Sequence, residues 1–182
     1  MNLNTLIKSR RTIHRYLDQK VPTEILFEAL EAAHFAPNHK HTWPWRFTLV
    51  GPQTKAQLDE MTLSMKSTNG PLTGQALTLF NEKRIHPSLV VVSQVRHQDV
   101  FQSKEDYAAV ACAIQNFSLV LHQHGVGCKW SSGSLIRSPK AYELLSIDSV
   151  EQEIVAFLWY GYAAHTPKVS RPNLEEMLHH LP

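Results

Sequence analysis

The sequence predicts a single α+β domain, because segments with helical periodicity are interspersed with short β-branched segments. Pro22 and Glu24 suit the first turn of a helix, and apolar residues at helical spacing follow them. Residues 89–95 have the composition of a β-strand, and residues 154–162 have that of a buried strand. Because the 182 residues contain no linker or internal repeat, we expect residues 1–182 to form one domain.

Turn residues, helix caps and apolar spacing predict the remaining short elements. The second helix is expected to end at Ala36, before Pro37. Residues 66–86 have weak periodicity and contain two glycines, so we expect a partly helical excursion there that acts as a lid or insertion. The other predicted elements are a helix capped by Asn4 and ending at Lys8, strands over residues 46–50 and 128–131, helices over residues 54–65 and 139–145, and a final helical turn over residues 174–178.

A long helix is predicted to begin at residues 103–106, which have the form of a capping box, and to end at His124 with Gly125 as its C′ residue. The helix is apolar around most of its circumference, which indicates burial on more than one side. We therefore expect a second subunit to cover one side, with the small residues Ala109 and Ala113 at a two-fold contact. The alternative is that this is the core helix of a monomer.

Composition and charge exclude several classes of function. Hydrophobic residues make up 43% and charged residues 19% of the chain, as in globular proteins. The formal net charge of +2 gives no electrostatic basis for binding nucleic acid or a membrane surface. The most apolar segment, residues 154–164, is too short to span a bilayer, and no secretory signal is visible. With only Cys112 and Cys128 and no CxxC pattern, we expect a cytoplasmic protein with structural, reduced cysteines.

Residues 9–15 are the first candidate site. They place three arginines and two hydroxyl groups within seven residues, and forked cationic donors of this kind match the oxygens of a phosphate. A basic tail containing Lys168 and Arg171 would add phosphate contacts if it folds back. The alternative for both segments is a solvated basic surface without a ligand.

Two further segments are candidates for holding a flat ligand. Residues 36–45 contain two histidines, a lysine and two tryptophans, but no metal site is predicted because His39 and His41 lack a third ligand. Residues 125–133 form a glycine-flanked turn where backbone N–H groups can approach a ligand closely, although the motif is neither a dinucleotide-binding loop nor a P-loop. The alternative for residues 36–45 is tryptophan packing in a core, with the polar residues in solvent.

Taken in order, these motifs resemble the nitroreductase family of FMN-dependent oxidoreductases, in particular its short single-domain branch. The resemblance implies a nitroreductase-like α+β fold with a central, mostly antiparallel sheet flanked by helices. It also implies a homodimer with FMN sites at the interface. The motifs that carry it are SRRT at residues 9–12, AP at 36–37, PWRF at 44–47, GVG at 125–127, WSSG at 130–133, YGY at 160–162 and RP at 171–172.

The resemblance further implies which residues contact FMN. The arginine-hydroxyl motif would hold the phosphate, ribityl chain and pyrimidine edge, and the loop before PWRF would approach from the partner subunit. The turn after the glycines would lie against the isoalloxazine, and the basic tail would complete the phosphate site. The predicted cofactor-binding residues are Arg10, Arg11, Thr12, His14, His39, Trp130, Ser131, Ser132, Lys168 and Arg171. Phe35 departs from the family, which often has a basic residue before Ala-Pro, so one polar contact is expected to be missing or supplied elsewhere.

The implied activity is a two-step electron transfer. NADPH or NADH reduces FMN and leaves, and a small-molecule electron acceptor such as a nitro compound or a quinone then takes the electrons. Because the flavin carries the chemistry, no catalytic side chain is predicted. Two alternatives stay open: a different reaction on FMN in the same fold (dehydrogenation, dehalogenation or flavin processing), or a flavin-holding protein without turnover.

Overall fold

The computed structural model describes residues 2–66 and 70–182, and it contains helices on both faces of one sheet. Residues 67–69 of the predicted insertion lie outside the described residues. The helices are α1 (Leu3–Ser9), α2 (Thr23–His34), α3 (Pro52–Lys66), α4 (Gly74–Phe80), α5 (Val100–Gln123) and α6 (Pro139–Leu144). The strands are β1 (Trp45–Leu49), β2 (Ser88–Val95), β3 (Val126–Ser131) and β4 (Gln152–Tyr162). Short turns of helix occur at His39–His41, Asn81–Ile85, Ser134–Arg137 and Leu174–Met177, of which Asn81–Ile85 is a π-helical turn directly after α4.

The four strands form one sheet in the order β1-β2-β4-β3, and all three neighbouring pairs are antiparallel, as predicted. The chain between α1 and α2 extends this sheet beyond β3. Thr12 forms an isolated parallel bridge with Cys128, and Tyr16 forms an antiparallel bridge with Ala163. The arginine-rich segment therefore lies along the edge of β3.

Both faces of the sheet are buried, which explains why the sequences of β2 and β4 are nearly continuous apolar segments. Helices α2 and α5 cover one face, where Ala33 and Phe117 pack with Leu158. Helices α3 and α6 cover the other face, where Leu58 packs with Trp159. From Ala156 to Tyr160, alternate residues of β4 thus belong to different cores, as the two-residue repeat of a strand requires.

Two predicted helix starts are wrong, and in each case a nearby polar side chain caps the helix instead. Asn2, rather than Asn4, caps α1, because its Oδ1 accepts a hydrogen bond from the Thr5 N–H at 2.8 Å. Asp99 caps α5, with its Oδ1 accepting from the N–H groups of Phe101 and Gln102, so residues 103–106 lie inside the helix. The other end agrees with the prediction, since α5 ends at Gln123 and Gly125 has a φ of +73°.

The predicted two-fold contact of α5 is also placed on the wrong face of the helix. Ala113 is fully buried in the chain's own core, and Ala109 is buried with it. The face of α5 that carries Ala108 and Cys112 is exposed instead. Any contact between two copies along α5 would therefore use this face.

Within residues 2–66 and 70–182, no helix has the length and apolar character needed to cross a membrane. The same part of the chain contains no group of three or more His, Cys, Asp or Glu side chains placed to hold a metal ion.

Candidate functional site

Close packing fixes the arginine-rich segment against β3. The N–H of Ile13 donates to the carbonyl oxygen of Cys128 at 3.1 Å, and the Ile13 side chain lies directly over Gly127. A Cβ at residue 127 would lie 2.3 Å from Ile13 Cγ1, so only glycine allows this approach. The hydroxyl of Tyr16, which is buried, lies within hydrogen-bonding distance of the Ile13 and Trp159 carbonyl oxygens and anchors the end of the segment.

This segment forms one wall of a cleft of about 210 Å³, and the C-terminal tail forms the other. The tail therefore folds back onto the arginine-rich segment, as the prediction required. The structure brings together five of the ten predicted residues here; they are Arg10, Arg11, Thr12, His14 and Arg171, joined by Pro167 and Val169. Lys168 is exposed beside the cleft and is not among its lining residues.

The three arginines of residues 9–15 make different contacts in the structure. Arg11 donates from Nη1 to the carbonyl oxygens of Lys8 and Arg10, so it also satisfies the C-terminal end of α1. Arg15 pairs with Glu82 of the π-helical turn and is not among the residues that line the cleft. Arg10 therefore has the guanidinium most free to contact a ligand in the cleft.

The cleft lies in a positive field. Partial burial and the nearby Lys129 and Lys83 ammonium groups lower the pKa of His14. His122, which contacts the Ser9 hydroxyl at 2.9 Å, has its pKa lowered by burial and by Arg10 and Arg11. Both shifts favour the neutral imidazole, and the positive field favours an anion in this region.

A larger cavity of about 500 Å³ opens at the end of β3 that carries Ser131. Three cationic residues that sequence analysis did not single out, Lys83, Arg84 and Lys129, line this cavity. Lys129 could have been predicted from the sequence, because it lies two residues before Ser131 and alternate residues of a strand share a face. Lys83 and Arg84 could not have been predicted in this way, because a tertiary contact brings the π-helical turn to the cavity. In that contact the Tyr16 N–H donates to the Glu82 carbonyl oxygen at 2.9 Å.

Arg84 is held in place by a buried ionic network. Its Nε donates to Asp59 Oδ1 at 3.2 Å and its Nη2 donates to Thr62 Oγ1 at 2.7 Å. The guanidinium lies 4.0 Å from the centre of the Trp159 ring. Lys55 completes the network by donating to Asp59 Oδ2 at 2.8 Å and to the carbonyl oxygens at the end of the π-helical turn. Burial lowers the pKa of Arg84 and raises that of Asp59.

The predicted residues at the end of β3 are divided between the two sides of the sheet. Ser131 lines the 500 Å³ cavity together with Lys129, whereas the intervening Trp130 is directed to the opposite face and is partly exposed. Ser132 is exposed in the turn that follows. The strand alternation therefore allows only part of this segment to face any single ligand.

The loop containing His39 lies far from the arginine cleft within one chain. His39 Nδ1 is 3.0 Å from Glu105 Oε1, near the start of α5, whereas Arg10 lies beside His122 at the end of α5. Glu105 and His122 are separated by about 25 Å of helix. The structure does not bring His39 to the other predicted residues of the same chain.

The same loop has an unusual backbone conformation. Lys40, His41 and Trp43 all have positive φ values, between +47° and +61°. The Asn38 side chain accepts from the Trp43 N–H at 2.7 Å, and Thr42 donates to the buried Asp106, so side-chain hydrogen bonds hold this strained conformation. The rings of His41 and Trp43 are stacked with their centres 5.4 Å apart, and both side chains are exposed. Trp45, in contrast, is buried. The alternative of tryptophan packing in a core therefore applies to Trp45 and not to Trp43.

The fold and the cleft define an α+β protein with an arginine-lined cleft at the edge of an antiparallel sheet. The nitroreductase family model matches residues 7–162, and the chain belongs to this family of oxidoreductases. The chain is 30% identical over 173 residues to YfhC of Bacillus subtilis (strain 168), whose name places it provisionally among the NAD(P)H nitroreductases. That match covers 93% of this chain and 88% of YfhC.

Solved structures support the same fold. A nitroreductase-like family protein from Bacillus cereus matches with a TM-score of 0.85 and 28% identity, over 100% of this chain and 96% of that protein. The FMN- and NADPH-dependent nitroreductase NfnB from Sphigopyxis sp. strain HMH matches with a TM-score of 0.80 and 15% identity, over 100% of both chains. An iodotyrosine deiodinase bound to FMN and 3-iodo-L-tyrosine matches with a TM-score of 0.71 and 23% identity, over 94% of this chain and 96% of that one. The resemblance inferred from the sequence motifs is thus confirmed at the level of family and fold.

Proposed function

We propose that this protein is an FMN-dependent oxidoreductase that takes electrons from NADPH or NADH and passes them to a small acceptor such as a nitro compound or a quinone. The observation that carries this proposal is the cleft in which Arg10, Thr12 and Arg171 converge from opposite ends of the chain. The names of the YfhC and NfnB relatives support the choice of cofactor and reductant.

The residues of the cleft fit the phosphate end of FMN. Arginine side chains match phosphate oxygens with paired, charge-assisted hydrogen bonds, and the Thr12 hydroxyl can donate one more. A volume of about 210 Å³ suits a phosphate with part of its ribityl chain rather than the whole cofactor. We therefore assign Arg10, Thr12 and Arg171 as the principal phosphate contacts, with Arg11 and Lys168 adding positive charge at the rim.

The ring end of FMN would then lie along the edge of β3, past His14 and toward Ser131 and Ser132. Bound FMN supplies the hydride and electron transfer chemistry, and the protein supplies binding, orientation and electrostatics. Lys83 and Lys129 stabilise negative charge that develops on a ligand near His14 and Ser131, because they place positive charge there before any reaction begins. Trp130 would contact the cofactor from the other side of the strand.

His39 would complete the site from a second copy of the chain. In a two-fold dimer whose axis is perpendicular to α5, two α5 helices that pack side by side through their exposed faces run antiparallel, so the start of one lies near the end of the other. The loop of residues 39–41 in one copy would then approach the Arg10 cleft of its partner, across the distance that separates them within one chain. We therefore propose a homodimer with two shared sites.

Spectroscopy of the purified protein tests this proposal directly. We expect a yellow protein whose flavin absorbance near 450 nm is lost under anaerobic conditions when NADPH or NADH is added, and returns when an acceptor is supplied. A panel of nitro compounds, quinones and 3-iodotyrosine then compares the proposed acceptors with a dehalogenation substrate. A colourless protein that does not bind added FMN would exclude the proposed function.

A further inference from the structure

The contact between His39 and Glu105 joins the loop before β1 to the second turn of α5. His39 Nδ1 lies 3.0 Å from Glu105 Oε1, which is the distance of one hydrogen bond between the ring and the carboxylate. The His39 side chain is 65% exposed, so without this contact its ring would turn freely in solvent. Glu105 therefore gives the imidazole a preferred orientation.

The second oxygen of the Glu105 carboxylate is in an unusual state. Oε2 is buried and has no hydrogen-bond donor among residues 2–66 and 70–182. A buried polar atom without a partner costs free energy, so each such atom in a native protein calls for an explanation. Within the described part of the chain, the carboxylate keeps this unsatisfied oxygen and makes one hydrogen bond, to His39.

Glu105 is not needed to hold the backbone of the loop. Asn38 accepts from the Trp43 N–H and Thr42 donates to Asp106, so other hydrogen bonds fix the strained conformation. Asp106, the next residue of α5, is the carboxylate that supports the loop, whereas Glu105 contacts the imidazole. The two neighbouring carboxylates thus have separate roles, and that of Glu105 concerns the ring.

The pair lies on the face of α5 that is open to a second copy of the chain. His39 and Glu105 line a concave surface there, together with Pro37, Ala108 and Cys112. Because Nδ1 faces the carboxylate, the other ring nitrogen, Nε2, is directed away from it and has no partner among the described residues. Nε2 is therefore the atom of this pair that a group outside the chain can contact.

We propose that Glu105 is a positioning residue of the flavin site, which holds His39 by its Nδ1–H and thereby presents Nε2 to the FMN bound by the partner subunit. The inference rests on the proposed function, because it requires the homodimer with shared sites. An ionised carboxylate only accepts hydrogen bonds, so neutral His39 carries its proton on Nδ1 and has a free lone pair on Nε2. Glu105 thus fixes both the direction of the ring and its tautomer.

The tautomer of His39 is the first test. Nitrogen-15 NMR of the imidazole rings distinguishes a proton on Nδ1 from a proton on Nε2, and the spectrum of His39→Gln identifies the His39 signals. At about pH 8.5, where an ordinary imidazole is neutral, we expect the Nδ1–H form in the original protein. Glu105→Ala should shift the signals toward the Nε2–H form that predominates in free histidine. Neutral His39 with its proton on Nε2 in the original protein would overturn the inference.

The affinity for FMN tests whether Glu105 acts through His39. We expect Glu105→Ala and His39→Ala each to weaken FMN binding about fivefold in a fluorescence titration, which is the effect of one hydrogen bond. The double variant should bind no more weakly than His39→Ala, because Glu105 has nothing to position once the ring is gone. Independent contributions would instead weaken binding by about 25-fold in the double variant and would contradict the inference.

A second carboxylate–imidazole pair provides the matched control. Glu28 Oε2 lies 2.8 Å from His124 Nε2 at the other end of α5. Glu28→Ala removes the same type of contact and should leave FMN affinity unchanged. Glu105→Ala also removes the buried oxygen that lacks a donor, so it should unfold at the same urea concentration as the original protein or at a higher one. A large loss of stability would show a structural role and count against the inference.

The failures of the two proposals are distinguishable. A protein that does not bind FMN refutes the proposed function. A yellow protein that NADPH or NADH reduces, in which His39→Ala weakens FMN binding but Glu105→Ala does not, refutes only the positioning role of Glu105. If His39→Ala also leaves the affinity unchanged, the shared site is refuted while the flavin chemistry stands.

Discussion

The contact between Gly127 and Ile13 makes a quantitative prediction about how the phosphate cleft is built. In Gly127→Ala, the new Cβ would lie 2.3 Å from Ile13 Cγ1 and 2.8 Å from Ile13 Cβ, both closer than real contacts allow. Ile13 is buried and cannot swing into solvent. The segment from Arg10 to Thr12 must therefore move away from β3.

We expect two measurable effects of Gly127→Ala. Overpacking of this kind costs about 1–3 kcal/mol, so the free energy of unfolding in urea should fall by that amount. Displacement of Arg10 and Thr12 should also weaken FMN binding, which quenching of flavin fluorescence measures. Gly51→Ala is the matched control, because a Cβ there meets nothing within 4 Å, and both quantities should stay close to those of the original protein.

A second substitution tests the cause. Ile13→Ala in the Gly127→Ala background removes Cγ1 and Cγ2 but leaves Cβ at 2.8 Å, so it should restore part of the lost FMN affinity. Ile13→Ala alone creates a cavity and should destabilise the protein by about 2–5 kcal/mol. A double-mutant cycle then isolates the coupling of the two residues. If Gly127→Ala binds FMN and unfolds like Gly51→Ala, the close approach does not position the cleft.

Three further predictions concern separate parts of the molecule. Arg10→Ala should weaken FMN binding roughly 30-fold, the equivalent of about 2 kcal/mol for one charge-assisted contact, and an unchanged fluorescence titration would remove Arg10 from the site. The double variant Cys112→Ala, Cys128→Ala should keep its flavin and its NAD(P)H oxidation, since burial raises the pKa of Cys128 to about 11 and makes it a poor nucleophile; full FMN occupancy without turnover would implicate a thiol. Ala108→Glu places a charge on the exposed face of α5, so size-exclusion chromatography should show a folded monomer with weakened FMN binding, and a dimer that keeps its flavin would contradict the shared site.

The elements that the sequence predicts best are those with burial on both sides. β2 and β4 were predicted within two residues of their observed ends, because strands covered on both faces are apolar throughout. The start of α5 was predicted too late, since Asp99 and Ser103 are both suitable caps and local pattern does not rank them.

The candidate site was predictable where it depends on motifs and not where it depends on tertiary contacts. Arg10, Thr12 and Arg171 were identified from short patterns, and the structure places them in one cleft. Lys83 could not be found in this way, because a backbone hydrogen bond and an ion pair of Glu82 bring its turn to the site from nearly 70 residues away. The spacing of residues in the sequence does not predict that contact.

The global charge of the chain was similarly uninformative about the local field. A net charge of +2 gave no reason to expect an anion site, yet Arg10, Arg171, Lys83 and Lys129 lie in two neighbouring concave regions. Binding of small anions depends on such local arrangement, since charges beyond about 10 Å are screened at ordinary ionic strength. Absence of a strong net charge therefore argues against extended polyanions and not against a phosphate.

His14 reports on this local field and gives the last prediction. Partial burial, and then the charges of Lys129 and Lys83, lower the pKa of His14 in the free protein, so the folded state disfavours the charged imidazole. This contribution to stability is present above pH 6.5 and is lost as the pH falls. A bound phosphate dianion would offset the field of Lys83 and Lys129 and raise the pKa of His14 again. FMN binding near pH 6.5 should therefore take up protons at this residue. Calorimetric titrations in two buffers of different ionisation enthalpy measure the uptake, and His14→Gln controls for titration of the FMN phosphate itself. Equal proton uptake by the original protein and by His14→Gln would show that the phosphate does not bind near His14.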